Sequence, residues 1–508
     1  MSQTKRSSKR KRKTKADQSN PEQTPPNPVW RGVLGGRYKP LSDLEQQQVH
    51  ESVLNLLENP GLSQANQSMI DRVCAAGGEY KDNDRLIFPR ELVMDCLDKG
   101  LKSITLHGRQ PGLDIELSGN RIHTSSGGAA PSIRDSKTGL YRPSTARDLF
   151  EAARVADHME HIHHFSRSLV VTDAQDNFSL DINTAYACLS GTYKPVSMSI
   201  CDYSHIPAVA EICYELAGSE QAFREKPFMT IMICHVVPPM RFATEACDSL
   251  EAAILAGFPV QIISAGQAGA TSPATMAGSL VQAIAETVAG YVYAVLVDPK
   301  AKAIFAPKPL VADLRTGAMS GGGGEQAVLM AAAAQMGKFY NLPTSSIAGI
   351  TDSKIPDAQH GYEKNLAVSL AAHAGSNLIT QACGMQASLL GASLESYVID
   401  NDMLGGILRS VRGIEASMET LSEEIIREVC NGEGHYLGHP QTYARMKSDY
   451  VYPEVGDRKS PADWEADGAK DMFSRAQEVV SDILKKDQPS FLPDALDRKI
   501  RDRYDLLI

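Results

Sequence analysis

The sequence predicts an α/β protein built as a (β/α)8 barrel, with helical extensions at its N- and C-terminal ends. Three observations carry this reading. Short apolar runs alternate with longer helix-like segments at spacings of about 25 to 45 residues, the pattern of parallel strands joined by helices. Eight such runs fall between residues 116 and 402, the number that closes a barrel. Glycines and polar residues gather just after the runs, where a barrel keeps its chemistry. An open doubly wound sheet shows the same alternation, since periodicity does not report closure.

The elements follow in order. Residues 1–28 form a basic, then Pro-rich segment beginning MSQTKRSSKRKRKTK, which is expected to be disordered. It suits a solvated tail, or a nuclear-localisation or polyanion-binding segment. Residues 29–115 are expected to be an N-terminal helical region: Ser42 offers a cap, and apolar positions recur every three and four residues. The barrel then occupies 116–402. Its strands are expected at about Arg121–Ser126, Ser166–Val171, Val196–Cys201, Phe228–Cys234, Pro259–Ser264, Lys302–Ala306, Ser346–Thr351 and Asn377–Gln381. Helix-like stretches between them include Thr145–His161, Thr244–Ala256, Met276–Leu296 and Gly324–Phe339. Residues 403–508 turn polar again and are expected to be a C-terminal helical extension.

The bulk numbers exclude several classes. The chain of 508 residues is 43% hydrophobic and 22% charged, ordinary for a globular protein. A net charge of -10 argues against a nucleic-acid-binding body. No secretory leader or 18-residue apolar run is evident, so no membrane role is expected. The nine cysteines include no C-x-x-C pair, which suits reduced thiols in a cytoplasmic protein.

The stretch SSIAGITDSKIPDAQHGYE, Ser345–Glu363, is the most informative loop. A buried-looking strand runs straight into Asp352, Lys354, Asp357, Gln359, Tyr362 and Glu363. Three carboxylates with one Lys would make a negative pocket that attracts a cation; the same residues also fit surface salt bridges. Tyr362, with Tyr193 and Tyr203, would offer ring faces to a quaternary ammonium, each contact adding roughly 1–2 kcal/mol. Gly321–Gly324 is neither a Walker loop nor a dinucleotide fingerprint. Gly323 and Gly324 open a helix and bare amides to an anion such as a carboxylate, or they form a hinge. Glu325 and Gln326 begin that helix. His161, His163 and His164 lack zinc-ligand spacing, and His435 and His439 lie among Gly434, Gly438 and Pro440, so no metal site is expected.

Several motifs together resemble the trimethylamine methyltransferase (MttB-type) superfamily. They are Ser126-Gly-Gly-Ala-Ala-Pro131, Gly191-Thr-Tyr-Lys-Pro195, Ser320-Gly-Gly-Gly-Gly-Glu-Gln326, Thr351–Lys364 and Gly434-His-Tyr-Leu-Gly-His-Pro-Gln-Thr442. The resemblance spans nearly all the chain from about residue 30. It implies a TIM barrel that moves a methyl group from a methylamine to the cobalt of a separate corrinoid protein. Trimethylamine-specific members carry pyrrolysine, which the resemblance puts in the strand-seven loop, about Lys354. This chain has only standard residues there and so resembles the quaternary-amine members, such as glycine betaine demethylases. The basic tail departs from the family pattern.

The expectations drawn from the resemblance are these. Asp352, Lys354, Asp357, Gln359 and Glu363 serve catalysis. Tyr362, Tyr193, Tyr203, Gly323, Gly324, Glu325 and Gln326 bind the substrate. No cofactor is held tightly; a corrinoid protein docks at the barrel mouth, the second reactant is a small methylated amine, and association with further copies of the chain is left open. Rival readings are another TIM-barrel enzyme, a lyase or zinc-dependent methyltransferase, and a non-catalytic methylated-amine binding protein.

Overall fold

A computed structural model describes residues 27–486 and 490–508. The expected tail, 1–28, lies outside the described residues except for its last two. Eight parallel strands overlap the expected runs, most of them shorter, and the second shares only Ser166 with its run: β1 Arg121–Thr124, β2 Phe165–Ser166, β3 Val196–Met198, β4 Met229–Cys234, β5 Val260–Ser264, β6 Ala303–Pro307, β7 Ser345–Ile347 and β8 Leu378–Thr380. Ladders join β2 through β6 in order, and others join β7 to β8 and β8 to β1. Two parallel bridges, Ser125 to His164 and Phe305 to Thr344, complete the circuit. The ring is therefore closed, and no barrel strand is left with a free edge.

A helix follows every strand: α1 Ala146–His158, α2 Asn177–Gly191, α3 Ile206–Ala217, α4 Thr244–Leu255, α5 Met276–Val297, α6 Gly324–Phe339, α7 Ala358–His373 and α8 Leu394–Arg412. Their starts are set locally. Thr145 and Asp148 form a capping box on α1, Thr275 caps α5, Asp357 caps α7 and Ser393 caps α8. The α5 helix is apolar on every side. It packs against β5 and β6 inwardly and against the N-terminal helices Asp43–Glu58, Gln67–Ala75 and Arg90–Lys99. It is the one described helix long and apolar enough to cross a membrane, and most of that stretch is buried in the protein.

Two boundaries differ from expectation. The 29–115 region is not wholly helical: Ser103–Leu106 and Ile115–Ser118 form an antiparallel hairpin whose side chains alternate inward and outward. Its inward residues Ile104, Leu106, Ile115 and Leu117 pack with Ile304 and Leu378 of the barrel wall. The expected break at 402 falls inside α8. The polar residues there look like a helix end, but two of them are bonded inside the fold: Asp400 pairs with Lys364 and His360, and Asn401 accepts from the His161 amide.

The described residues form two compact units. Val29–Glu415 with Tyr452–Ile508 make one, and Ala416–Val451 with Asn27 and Pro28 make the other.

Candidate active site

The C-terminal ends of all eight strands contribute to one cavity of about 720 Å³. Gly128 and Arg167 come from the loops after β1 and β2, and Ser199 and Cys201 from that after β3. Cys234, Ile263 and Ile347 lie on β4, β5 and β7. Lys308 follows β6 and Gln381 follows β8. This is the end of a barrel at which active sites sit, and the volume suits a small-molecule site.

Two of the lining residues are cations held without a counter-charge. Lys308 is buried, and the only hydrogen-bond partner of its ammonium among the described residues is the Thr380 hydroxyl, at 3.5 Å. Burial pushes its ammonium down to about 8. The Arg167 guanidinium donates to Ser199 Oγ at 3.1 Å, while its Nε is buried without a partner. Desolvation lowers its pKa as well. Neither forms an ion pair among the described residues. A buried, under-bonded cation is costly unless an anion arrives to meet it. Glu245, in the first turn of α4, is the single carboxylate among the described lining residues. Met232, Ile233, Ala265, Leu310 and Leu389 supply apolar wall.

Glycine shapes one wall. Gly127 and Gly128 adopt φ of 139° and 120°, where other residues are strained, and a Cβ on Gly128 would meet Met385 Sδ at 2.2 Å. The Ser126-Gly-Gly motif thus lets the β1 loop lie close against the β8 loop.

None of the residues expected to serve catalysis lines this cavity. They hold up neighbouring loops instead. Asp352 accepts from the Gly321 amide at 2.9 Å and from Ser388 Oγ at 2.6 Å, so it ties the glycine loop to the segment carrying the lining residue Leu389. Glu363 is buried and accepts from Thr351 Oγ1, the Asp352 amide and Gln359 Nε2. Asp357 caps α7 by accepting from the His360 amide, which helps hold its carboxyl below the usual range. The Lys354 ammonium donates to the Asp352 carbonyl.

The expected binding residues are also dispersed. Tyr362 is exposed in the first turns of α7, and Tyr203 is exposed on the connection after β3. Tyr193 precedes β3, so it lies at the opposite end of the barrel, stacked on Phe491 at 4.1 Å. No aromatic ring is found among the described lining residues, so the expected ring-lined, negative pocket is replaced by one with two cations and one carboxylate. Gly323 is the N-cap residue of α6, Gly324 and Glu325 are its first turn, and Gln326 Nε2 donates to the Pro309 carbonyl at 3.2 Å next to Lys308. Sequence reasoning missed Arg167 and Lys308. Their signal was present: a lone basic residue directly after an apolar strand, in Phe165-Ser-Arg and Ala306-Pro-Lys.

Comparison with known proteins gives a consistent picture. A family model described as trimethylamine methyltransferase (MTTB) matches residues 5–505. The trimethylamine methyltransferase MttB of Desulfitobacterium hafniense is 30% identical over 91% of this chain and 92% of its own length. That of Methanosarcina thermophila is 29% identical over 87% and 92%. A glycine betaine methyltransferase of Desulfitobacterium hafniense is 26% identical over 92% and 97%. A solved dihydropteroate synthase from Coxiella burnetii aligns with a TM-score of 0.39 at 11% identity, over 61% of this chain and 100% of that one. The closed ring rests on the strand pairing, not on this last likeness.

Proposed function

The chain belongs to the trimethylamine methyltransferase (MTTB) family and is a methyltransferase, and from this premise we propose that it takes a methyl group from a carboxylated quaternary amine of the betaine kind. The acceptor is the Co(I) centre of a separate corrinoid protein. The carrying observation is a pair of cations lining the barrel cavity, the buried Lys308 and the half-buried Arg167, neither of which forms an ion pair among the described residues. Trimethylamine has no acidic group to meet them; a betaine does.

The chain's own part in the reaction is positioning. Arg167 and Lys308 hold the carboxylate, and Glu245 adds negative charge to the same cavity for the ammonium. The apolar wall excludes water, so the methyl carbon is presented to its nucleophile rather than to solvent. The carbon–nitrogen bond breaks with its electron pair moving to nitrogen, and the Co(I) pair forms the new bond to carbon. The leaving amine is neutral, so no proton donor is required. This is consistent with Glu245 as the only carboxylate among the described lining residues and with standard residues throughout the β7 loop.

The cobalt would enter at the mouth on its own protein. Exposed apolar side chains on the loops after β3, β4, β6, β7 and β8 (Tyr203, Val237, Leu314, Ile355 and Leu390) offer a rim for such a partner. In this reading the protein itself holds no tightly bound cofactor and works in the cytoplasm. The test mixes the protein with Co(I) cobalamin and a panel of amines and follows methylcobalamin absorbance. Glycine betaine and longer carboxylated betaines are expected to turn over, with trimethylamine at least tenfold slower. Equal or faster turnover of trimethylamine would overturn the proposal.

A further inference from the structure

The barrel cavity holds an amine set apart from the other buried lysines. Three described lysines are buried: Lys194, Lys308 and Lys364. Lys194 Nζ donates to the Ala156 and Met159 carbonyls at 2.6 and 2.7 Å, and Lys364 Nζ donates to Asp400 at 2.7 Å. Both are fully engaged in the fold. Lys308 instead lines the cavity, directly after β6. Its backbone amide donates to the Ser264 carbonyl at 2.8 Å, which fixes its Cα beside β5. Its side chain extends to β8, where Thr380 Oγ1 lies 3.5 Å from Nζ. That hydroxyl gives its own hydrogen to the Ser346 carbonyl at 2.9 Å. It can therefore only accept from the amine, and among the described residues no donor is bonded to Nζ. Burial pushes the ammonium down to about 8, so at that pH about half of it is free base with its lone pair open to the cavity.

A neutral, desolvated amine in a small-molecule cavity is a nucleophile for carbonyl carbon. We propose that Lys308 forms an imine with a small oxo acid, a carboxylate whose neighbouring carbon is an aldehyde or ketone, and that the cavity is a reversible covalent site for such acids. Lys308 supplies the nitrogen. Arg167, half-buried in the same cavity and without an ion pair among the described residues, supplies the anchor for the carboxylate. In the step itself the amine lone pair attacks the carbonyl carbon, and the new carbon–nitrogen bond becomes double. The carbonyl oxygen leaves as water with both amine hydrogens. Nothing is oxidised or reduced, so no co-reactant is needed, and hydrolysis reverses the step. The apolar wall of Met232, Ile233, Ala265 and Leu310 favours that loss of water. An imine here excludes any other ligand of the cavity, so a small oxo acid would hold the enzyme closed to its amine until the bond hydrolyses. The inference goes beyond the betaine reading and does not rest on it: the imine needs the amine, the anchor and the cavity, not a methylated substrate.

The test treats the purified full-length protein with glyoxylate and sodium cyanoborohydride. The reductant adds hydride to the imine carbon and leaves a carboxymethyl group on the nitrogen. Peptide mapping by mass spectrometry reads which lysines carry it. At about pH 7.5, Lys308 is expected to be labelled at least about tenfold faster than an exposed lysine such as Lys300. Propanal, which has no carboxylate, is the comparison. Arg167→Gln is expected to slow labelling of Lys308 by glyoxylate about tenfold, and by propanal less than about twofold. The unaltered protein gives the first result without any variant, and circular dichroism checks that Arg167→Gln is folded. Labelling of Lys308 no faster than that of Lys300 would overturn the proposal. An equal loss for glyoxylate and propanal, or no loss for either, would overturn the assignment of an oxo acid as the ligand.

Discussion

The Glu363 carboxyl group fills the space that a side chain on Gly322 would need: a Cβ at 322 would fall 2.3 Å from Glu363 Cδ. Glu363 cannot retreat freely, because its Oε2 is bonded to Thr351 Oγ1 at 2.5 Å and to the Asp352 amide at 2.8 Å. Gly322→Ala is therefore expected to destabilise the protein by about 1–3 kcal/mol, the range for disrupting a buried hydrogen-bonded group. Gly324→Ala, with nothing within 4 Å of its Cβ and a helical position, is expected to be neutral or stabilising by up to about 1 kcal/mol. Denaturant unfolding of both variants checks this; matching values would show that the wedge gives way easily.

Arg167→Gln and Lys308→Met should each weaken binding of a carboxylated betaine by about 10- to 150-fold, the equivalent of roughly 1.5–3 kcal/mol for a hydrogen bond to a charged group. Amines without an acidic group should be nearly unaffected. The check is KM, or a dissociation constant by calorimetry, for a betaine and for choline. An equal loss for both would show a general defect of the cavity.

Lys308 also sets a pH dependence with two opposite signs. Its ammonium titrates at about 8 in the folded protein and at an ordinary 10.5 when unfolded. Above about pH 8 the free site loses this charge, so betaine affinity should fall by up to tenfold per pH unit. Over the same window the unfolded chain binds more protons than the folded one, so this residue's contribution makes the substrate-free protein more stable as pH rises toward 10.5. Lys308→Met should remove the fall in affinity above pH 8 and the matching slope of stability. Calorimetric titrations and melting curves between pH 7 and 10 read both.

Asp400 joins α7 to α8 inside the protein: it accepts from Lys364 Nζ at 2.7 Å, lies 2.9 Å from His360 Nε2, and accepts from the Gly384 amide at 2.9 Å. Burial raises its pKa, but the Lys364 ammonium and His360 outweigh burial and leave it below the ordinary value. Its stabilisation is thus present above the unfolded carboxyl pKa and lost as pH falls through the folded one. Asp400→Asn would strand the buried Lys364 charge and is expected to cost about 3–5 kcal/mol; adding Lys364→Met should recover part of that. Urea unfolding of the single and double variants decides it.

The scaffold was far more legible than the site. Strands such as Ala303–Pro307, buried at every position, announce themselves as uninterrupted apolar runs. Helix starts such as Thr145 and Asp357 carry local chemistry that needs no tertiary context. The site lacks such a code. Asp352, Asp357 and Glu363 are polar residues after a strand, as active-site residues often are, but their hydrogen bonds go to backbone amides and loop hydroxyls that only the folded chain supplies. Arg167 and Lys308 gave one-letter signals, and nothing in the sequence states that two residues some 140 positions apart border one hollow. Tyr193 shows the complementary error: its distance from β3 is short, but it lies on the strand's entering side.

The apolar α5 helix has a consequence for how the chain is made. Most of that helix is covered in the finished protein, partly by helices at 43–58, 67–75 and 90–99, which leave the ribosome well before it. Its shield is therefore waiting when the greasiest part of the molecule emerges. A truncated gene lacking the first hundred codons would release that segment bare, as bait for bilayers and chaperones.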